Sequence, residues 1–565
     1  MLTDTKRSRN AKVTPVDGLS VTWTKGLWKE RTDTCAQATV PQLQHMFESK
    51  EISHVLENFR ICAGESEGDF DGTVFGDGDF YKWMEAAIYT AAKNNDEKML
   101  EQIDAYIELI KKAQLPDGYL STKQIIGERS QNGVTRMGDI NDFEVYNFGH
   151  LFTAACLHKR LTGKDSFLKI AVKTADYLEG MYADALEKGE VQTAVCPSHY
   201  MGLVEMYRTT GEERYLKLAE QAISLRDSVK EGMDDNQDRI PLRKHEKIIG
   251  HAVRANYLYA GVADLCLEEE DEELKEVLHK VWRSLVDKKL YLTGGCGALY
   301  NGTSPYGNFF VDQKVHQAYG YEYQLPNITA YNETCASLGG VFWAYRMFQM
   351  EPEAEYFDVL ERMMLNTNLA ALSMDGKRFF YENMLRRTKT LDYELIWPRT
   401  RSEYILSYCC PPNLARTIAQ SSEYAYLTSK DALWVGMYGA SRAEITLENG
   451  AVFTVHQETE YPYDGKITFT FETANRTGFS MMLRIPGWAD NGRIQTGGKQ
   501  IVLTRENAGS YYEIRIEDPQ HTEICLELEM PVRYTVANTM VEETAGQAAV
   551  ERGPLVYCCE TADVS

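Results

Sequence analysis

A ten-residue segment occurs twice, 48 residues apart, and this repeat constrains the fold more than any other feature of the chain. Thr162-Gly163-Lys164-Asp165-Ser166-Phe167-Leu168-Lys169-Ile170-Ala171 returns as Thr210-Gly211-Glu212-Glu213-Arg214-Tyr215-Leu216-Lys217-Leu218-Ala219. A period of that length accommodates two helices and their loops. In each copy a glycine closes one helix and acidic residues open the next, as left-handed C-caps and the helix dipole favour. Stacked helical hairpins are therefore predicted.

Helical spacing of apolar residues extends from about residue 42 to 427, as in Trp83, Ala86, Ala87 and Ala91, then Ile103, Tyr106, Ile107 and Ile110. About twelve segments are predicted on this criterion, beginning near 42, 79, 96, 142, 165, 198, 212, 251, 271, 333, 353 and 412. Loop sequences such as Leu115-Pro116-Asp117-Gly118-Tyr119 and Gly294-Gly295-Cys296-Gly297 separate them. Six hairpins can close into an (α/α)6 toroid or stay an open solenoid, and periodicity does not choose between the two.

Beyond about residue 429 the period becomes two. Ile467, Phe469 and Phe471 alternate with polar residues, and Ile524, Leu526, Leu528 and Met530 alternate with Glu523, Cys525, Glu527 and Glu529. Turns at Asp464-Gly465, Pro486-Gly487 and Asn491-Gly492 make a β-sandwich the economical reading. The expected organisation is a 1–41 segment with strands that could join the sandwich, a helical catalytic domain over 42–428, a β-sandwich over 429–535, and a further β unit or extension over 536–565. The fold class is multidomain α + β.

A formal charge of −23 opposes binding to a polyanion, so nucleic acid is not an expected partner. Met1–Asn10 lacks the apolar core of a leader, and no apolar run is long enough to span a bilayer, so a soluble, cytoplasmic protein without a membrane partner is expected. A homodimer is compatible with these features. The 12 cysteines are scattered through a long chain and do not form a disulfide framework.

Reactive side chains are densest at Asn332-Glu333-Thr334-Cys335 and at Ser407-Tyr408-Cys409-Cys410-Pro411-Pro412-Asn413. Pro411-Pro412 fits only a loop or a first helical turn, so both groups stand where loops enter helices. Helix N-termini favour thiolates, and one carboxylate with three thiolates could hold a tetrahedral zinc ion. Buried structural cysteines are the competing reading.

Gln317-Ala318-Tyr319-Gly320-Tyr321-Glu322-Tyr323-Gln324-Leu325-Pro326-Asn327, with Asn332-Glu333-Thr334-Cys335-Ala336 and Cys409-Cys410-Pro411-Pro412-Asn413, resembles glycoside hydrolase family 127, the β-L-arabinofuranosidase-like family. Further blocks are Gly149-His150, Cys196-Pro197-Ser198-His199, Gly250-His251-Ala252-Val253-Arg254, Leu292-Thr293-Gly294-Gly295 and Glu361-Arg362, so the likeness covers nearly the whole chain. It implies a closed toroid and an oligosaccharide or glycoconjugate substrate. It also implies zinc bound by Glu333, Cys335, Cys409 and Cys410, with Cys409 as nucleophile of a retaining hydrolysis. Metal coordination would keep that thiol in its nucleophilic form.

One position departs from the family pattern. Sixteen residues before the zinc-site glutamate, where relatives carry a glutamate as general acid and base, this chain has Gln317. An amide cannot deliver that proton. Three readings stand: an inactivated variant, a natural subgroup using another acid such as Glu322, or altered chemistry, of which the natural subgroup is favoured with Gln317 orienting the substrate. His150, His199 and His251 lie in blocks like the family's sugar-contacting segments, and Tyr381 and Glu361 match positions near its site. Each has a plain packing or capping alternative. Phe80, Tyr81 and Trp83 are assigned to the core and Asp77 and Asp79 to helix capping. Two further functions stay open: a hydrolase or lyase using carboxylates and histidines around structural zinc, and a silent carbohydrate-binding protein.

Overall fold

The computed structural model describes residues 3–563 except 190–192, 308–312, 389–390, 392–394, 474 and 476. Helices fill its first part and strands dominate its last. The repeat has the expected physical basis. Glu144–Thr162 ends at Gly163 (φ 73°) and Ser198–Thr210 at Gly211 (φ 77°), each glycine in the left-handed region, and each is followed by an amphipathic partner, Ser166–Lys188 and Glu213–Ser224.

Two kinds of helix alternate. Ala252–Glu268 and Thr334–Met350 are buried along every residue, whereas Glu97–Ala113 and Glu272–Lys288 bury one stripe and leave charged residues outside. The first kind form a series in which each packs on the next: Gly76–Asn94, Glu144–Thr162, Ser198–Thr210, Ala252–Glu268, Thr334–Met350 and Cys410–Ala419. The last of these packs against the first, so the series returns on itself. Periodicity missed the shorter helices Gly26–Thr34, Val55–Ala63 and Thr122–Ser130, whose apolar positions are too few to repeat.

Two sheets follow. Seven strands are ordered Lys499–Leu503, Gly492–Thr496, Glu523–Leu528, Lys466–Thr473, Val452–Thr459, Ser441–Thr446 and Val21–Trp23, and five are ordered Thr14–Pro15, Tyr426–Thr428, Ala432–Val435, Phe479–Ile485 and Ser510–Ile516. They face each other through rings such as Phe453 and Phe479, stacked at 4.0 Å. One strand from the N-terminal segment thus enters each sheet. A three-stranded sheet of Val532–Thr535, Ala549–Arg552 and Leu555–Tyr557 comes last.

A small sheet inside the helical part positions functional side chains. Lys314–Tyr319 is its centre, flanked by Gly250–His251 and Leu299–Thr303. Among the described residues no helix is long and apolar enough to cross a membrane.

Candidate active site

Two helix N-termini meet at the sulfur cluster. Glu333 is the N-cap of Thr334–Met350 and Cys409 that of Cys410–Ala419, where Pro411 and Pro412 occupy the first turn without losing a helical hydrogen bond. The loop before Glu333 is pinned by the Tyr331 and Asn332 amides, which donate to the Ala298 and Gly297 carbonyls at 3.1 and 2.9 Å. The carboxylate and three sulfurs converge so that all four ligand atoms lie within 4.8 Å of one another. Cys409 Sγ lies 3.8 Å from Cys335 Sγ, 3.9 Å from Cys410 Sγ and 3.6 Å from Glu333 Oε1. Cys410 Sγ is 3.7 Å from the same oxygen.

The electrostatics of this group call for a cation. Burial pushes the Glu333 carboxyl well above the usual carboxylate range and the Cys410 thiol up with it. Cys409 is pushed up to about 12, chiefly by its contact with Cys335. For Cys335 burial opposes ionisation, but the neighbouring thiols and the Lys82 ammonium outweigh it and bring the group down to about 5. Burial thus opposes the negative charge that a full ligand set carries. Glu333 Oε2 is buried with no hydrogen-bond partner among the described residues. A metal ion would satisfy that oxygen and offset the thiolate charge.

Of the other sequence-selected residues, Tyr381 touches the cluster. The Tyr381 hydroxyl lies 3.8 Å from Cys409 Sγ and accepts from Ser407 Oγ at 3.3 Å. His251 Nε2 donates to Gln317 Oε1 at 2.7 Å, so the two lie side by side. Burial drives His251 and His150 well below the ordinary histidine range, so both are neutral, and both ring nitrogens of His150 are buried without partners among the described residues. The His150 ring stands edge-on to Tyr146 at 4.5 Å. His199, lowered to about 3 by burial, is occupied by the Tyr182 hydroxyl at 2.9 Å from its Nε2.

Glu322 and Glu361 are placed elsewhere. Glu322 pairs with Lys288 at 3.0 Å and Lys247 at 3.9 Å, and the Lys288 contact lowers its pKa, so it is held as the ionised form, which has no proton to donate. Glu361 is buried where the helices meet the sheets: Oε1 accepts from Arg484 at 2.6 Å and Oε2 from the Tyr461 hydroxyl at 2.8 Å. Both oxygens brace two parts of the chain. Asp77 caps not its own helix but Thr122–Ser130, accepting from the Thr122 amide and hydroxyl at 2.8 and 2.7 Å. Phe80, Tyr81 and Trp83 are core residues.

Sequence reasoning missed Lys82. Its fully buried ammonium pairs with Asp79 at 2.8 Å, donates to the Cys409 carbonyl at 3.0 Å and to Tyr146 at 2.9 Å, and sets a positive charge beneath the sulfurs. A lysine among Phe80, Tyr81 and Trp83 was the available signal, since a cation is buried in apolar sequence only where a partner or a function holds it. Asn413 was missed as well: its amide donates to Cys335 Sγ at 3.2 Å and accepts from Arg416, which in turn pairs with Glu85 at 2.8 Å. Glu382, bridged by backbone to Glu333 and accepting from Tyr300, is a third buried acid, raised to about 7 by burial.

Buried thiols and a carboxylate gathered at two helix N-termini are groups that an enzyme can use, and comparison with known proteins makes the class a glycoside hydrolase. Residues 20–423 match the family described as beta-L-arabinofuranosidase, GH127 catalytic domain; residues 432–530 match its middle domain and 532–565 its C-terminal domain. The chain belongs to glycoside hydrolase family 127. It is 33% identical to a non-reducing end beta-L-arabinofuranosidase of Bifidobacterium longum subsp. longum, over 96% of this chain and 87% of that protein. Similar solved structures include a GH127 beta-L-arabinofuranosidase from Geobacillus stearothermophilus T6 (33% identity, TM-score 0.82, 95% of this chain and 86% of that one). Another is the GH127 beta-arabinofuranosidase BT3674 (30%, 0.86, 98% and 86%).

Proposed function

We propose that the protein is a zinc-dependent retaining glycosidase that removes terminal β-L-arabinofuranosyl or related plant-glycan sugars, with Cys409 as nucleophile, in the cytoplasm. The observation that carries this reading is the shape of the sulfur cluster. A tetrahedral zinc ion with bonds of about 2.3 Å to sulfur requires sulfur–sulfur edges of about 3.8 Å. The edges from Cys409 are 3.8 and 3.9 Å. Glu333, Cys335, Cys409 and Cys410 would hold the ion, which when bound keeps the thiols deprotonated at neutral pH. The substrate class follows from the names of the relatives.

Cys409 Sγ attacks the anomeric carbon, the bond to the leaving oxygen breaks, and a thioglycosyl enzyme forms; water then releases the sugar with its original configuration. Tyr381 steadies the sulfur through its hydroxyl, and Lys82 offsets charge beneath it. His150 and His251 contact the sugar, His199 is held by Tyr182, Gln317 orients the sugar, and the helical series is an (α/α)6 toroid followed by a β-sandwich.

Elemental analysis and turnover test the reading together. About one zinc per chain and release of L-arabinose from an aryl β-L-arabinofuranoside are expected. Three freely reactive thiols with no bound metal would defeat the metal assignment. Turnover of an activated aryl furanoside would exclude a silent binding protein.

A further inference from the structure

We propose that His316, held by Asp235, is the general acid and base of this active site and does the work that the Gln317 amide cannot do. The assignment rests on the cysteine glycosidase reading above. His316 stands on the small sheet beside Gln317, and Asp235 grips it twice: its Oδ1 accepts from the His316 amide at 2.8 Å and its Oδ2 lies 2.9 Å from Nδ1. Arg254 fixes the same carboxylate at 3.0 Å. With Nδ1 so placed, Nε2 is the ring nitrogen available for proton exchange. A carboxylate that orients an imidazole and supports its protonated form is a recurrent device of acid and base catalysis.

Strand geometry explains why His316 and Gln317 serve one wall. Successive side chains of a regular strand point to opposite faces. Gln317 has φ 50°, a left-handed conformation that interrupts this alternation. Both residues consequently meet His251: Gln317 through the 2.7 Å hydrogen bond, and His316 ring against ring at 5.2 Å and 82°. His251 caps the helix Ala252–Glu268, whose Tyr257 hydroxyl accepts from Asn413, the residue that touches Cys335. One helix thus ties the His251 and His316 pair to the sulfur cluster, through Tyr257 and Asn413.

Two neighbouring groups are unsuited to the task. Glu322 is ion-paired and ionised, and His251 is buried and neutral. The His316 side chain keeps 46% of its surface exposed. In the first step Cys409 Sγ forms a bond to the anomeric carbon, the carbon–oxygen bond breaks, its electron pair stays on the leaving oxygen, and that oxygen takes the Nε2 proton. In the second, water attacks the anomeric carbon and gives its proton to Nε2, and the carbon–sulfur pair returns to Cys409.

The test compares His316→Gln with the wild type on 4-nitrophenyl and methyl β-L-arabinofuranoside, with circular dichroism as a control on folding. The methyl glycoside needs protonation of its leaving group and the nitrophenyl glycoside needs little. Loss of about 10²–10⁴-fold in kcat/KM on the methyl substrate, against less than about tenfold on the nitrophenyl one, is expected for an absent general acid. Asp235→Asn, which keeps the shape of the positioning residue and removes its charge, should give the same leaving-group split at smaller size. Equal losses on both substrates, or none, in a folded His316→Gln protein would overturn the assignment while leaving the glycosidase reading intact. A wild type inert toward both furanosides would fail that reading, and the assignment would fall with it.

Discussion

Two of the buried groups of ionisable side chains have opposite characters. At the junction of helices and sheets, Arg484 meets Asp358 at 2.5 Å and Glu361 at 2.6 Å, and Tyr461 donates to the second Glu361 oxygen. Every charge there has its counterpart, and the Glu361 oxygens are both in use. At the helix mouths, Glu333 keeps an oxygen without a partner and three thiols crowd within 4 Å contacts of one another or of the carboxylate. Both groups contain residues that match family blocks, so sequence likeness does not separate them. Completeness does. A satisfied buried network is structural, and an unsatisfied one awaits a ligand.

The contrast is sharpest under substitution of the nucleophile. Cys409→Ser is expected to lower kcat by more than about 10³-fold, with a smaller fall in the melting temperature than loss of the metal itself, because an alcohol neither ionises at neutral pH nor replaces the thiolate. Steady-state kinetics with thermal unfolding would read both quantities. Removal of the metal by a chelator should abolish turnover and also lower the melting temperature, since ion binding is coupled to the fold of its ligands. Turnover that survives complete loss of zinc would place the ion outside the chemistry.

Arg484→Met exchanges these roles. It strands Asp358 and Glu361 in the interior, and breaking a buried pair by removing one partner costs about 3–5 kcal/mol. Stability to urea should fall by that amount while kcat of the remaining folded enzyme stays near wild type. A selective loss of kcat instead would bring Glu361 back toward the substrate.

A smaller effect separates neutral histidines from paired charges. Burial holds His199 at about 3 and His158 and His245 at about 4, against an unfolded value of about 6.5. Above pH 6.5 neither state is protonated and their neutrality costs nothing. As pH falls from there toward 4, the unfolded chain binds protons that the folded one refuses, and each histidine removes up to about 1.4 kcal/mol per pH unit. Urea unfolding at pH 7 and pH 5.5 should show the decline, and His245→Gln should flatten it. Least of all, Cys525→Ser should leave kcat unchanged, because that cysteine packs in the strand Glu523–Leu528.

The helical and β parts were legible because burial imposes a period: 3.6 on helices with an apolar stripe and 2 on strands with one buried face. Glu333, Cys335, Cys409 and Cys410 were legible because few residue types bind metal and prolines marked where one helix begins. Lys82 was marked only by its place among Phe80, Tyr81 and Trp83, since one lysine in an apolar helix carries no spacing signal. Glu361 and Glu322 looked functional by position in matched blocks, and only their partners, Arg484 and Lys288, say otherwise.

What the sequence determined by itself was local: helix and strand periods, caps at Gly163 and Gly211, the switch near residue 429, and the set of thiols and acids available for chemistry. Tertiary structure decided which of these meet. Cys335 and Cys409 are 74 residues apart in the chain and 3.8 Å apart in space, and Arg484 reaches Glu361 across 123 residues. Periodicity reports the side on which a residue is buried, but the partner it finds there depends on how whole helices and sheets pack, which no local spacing encodes.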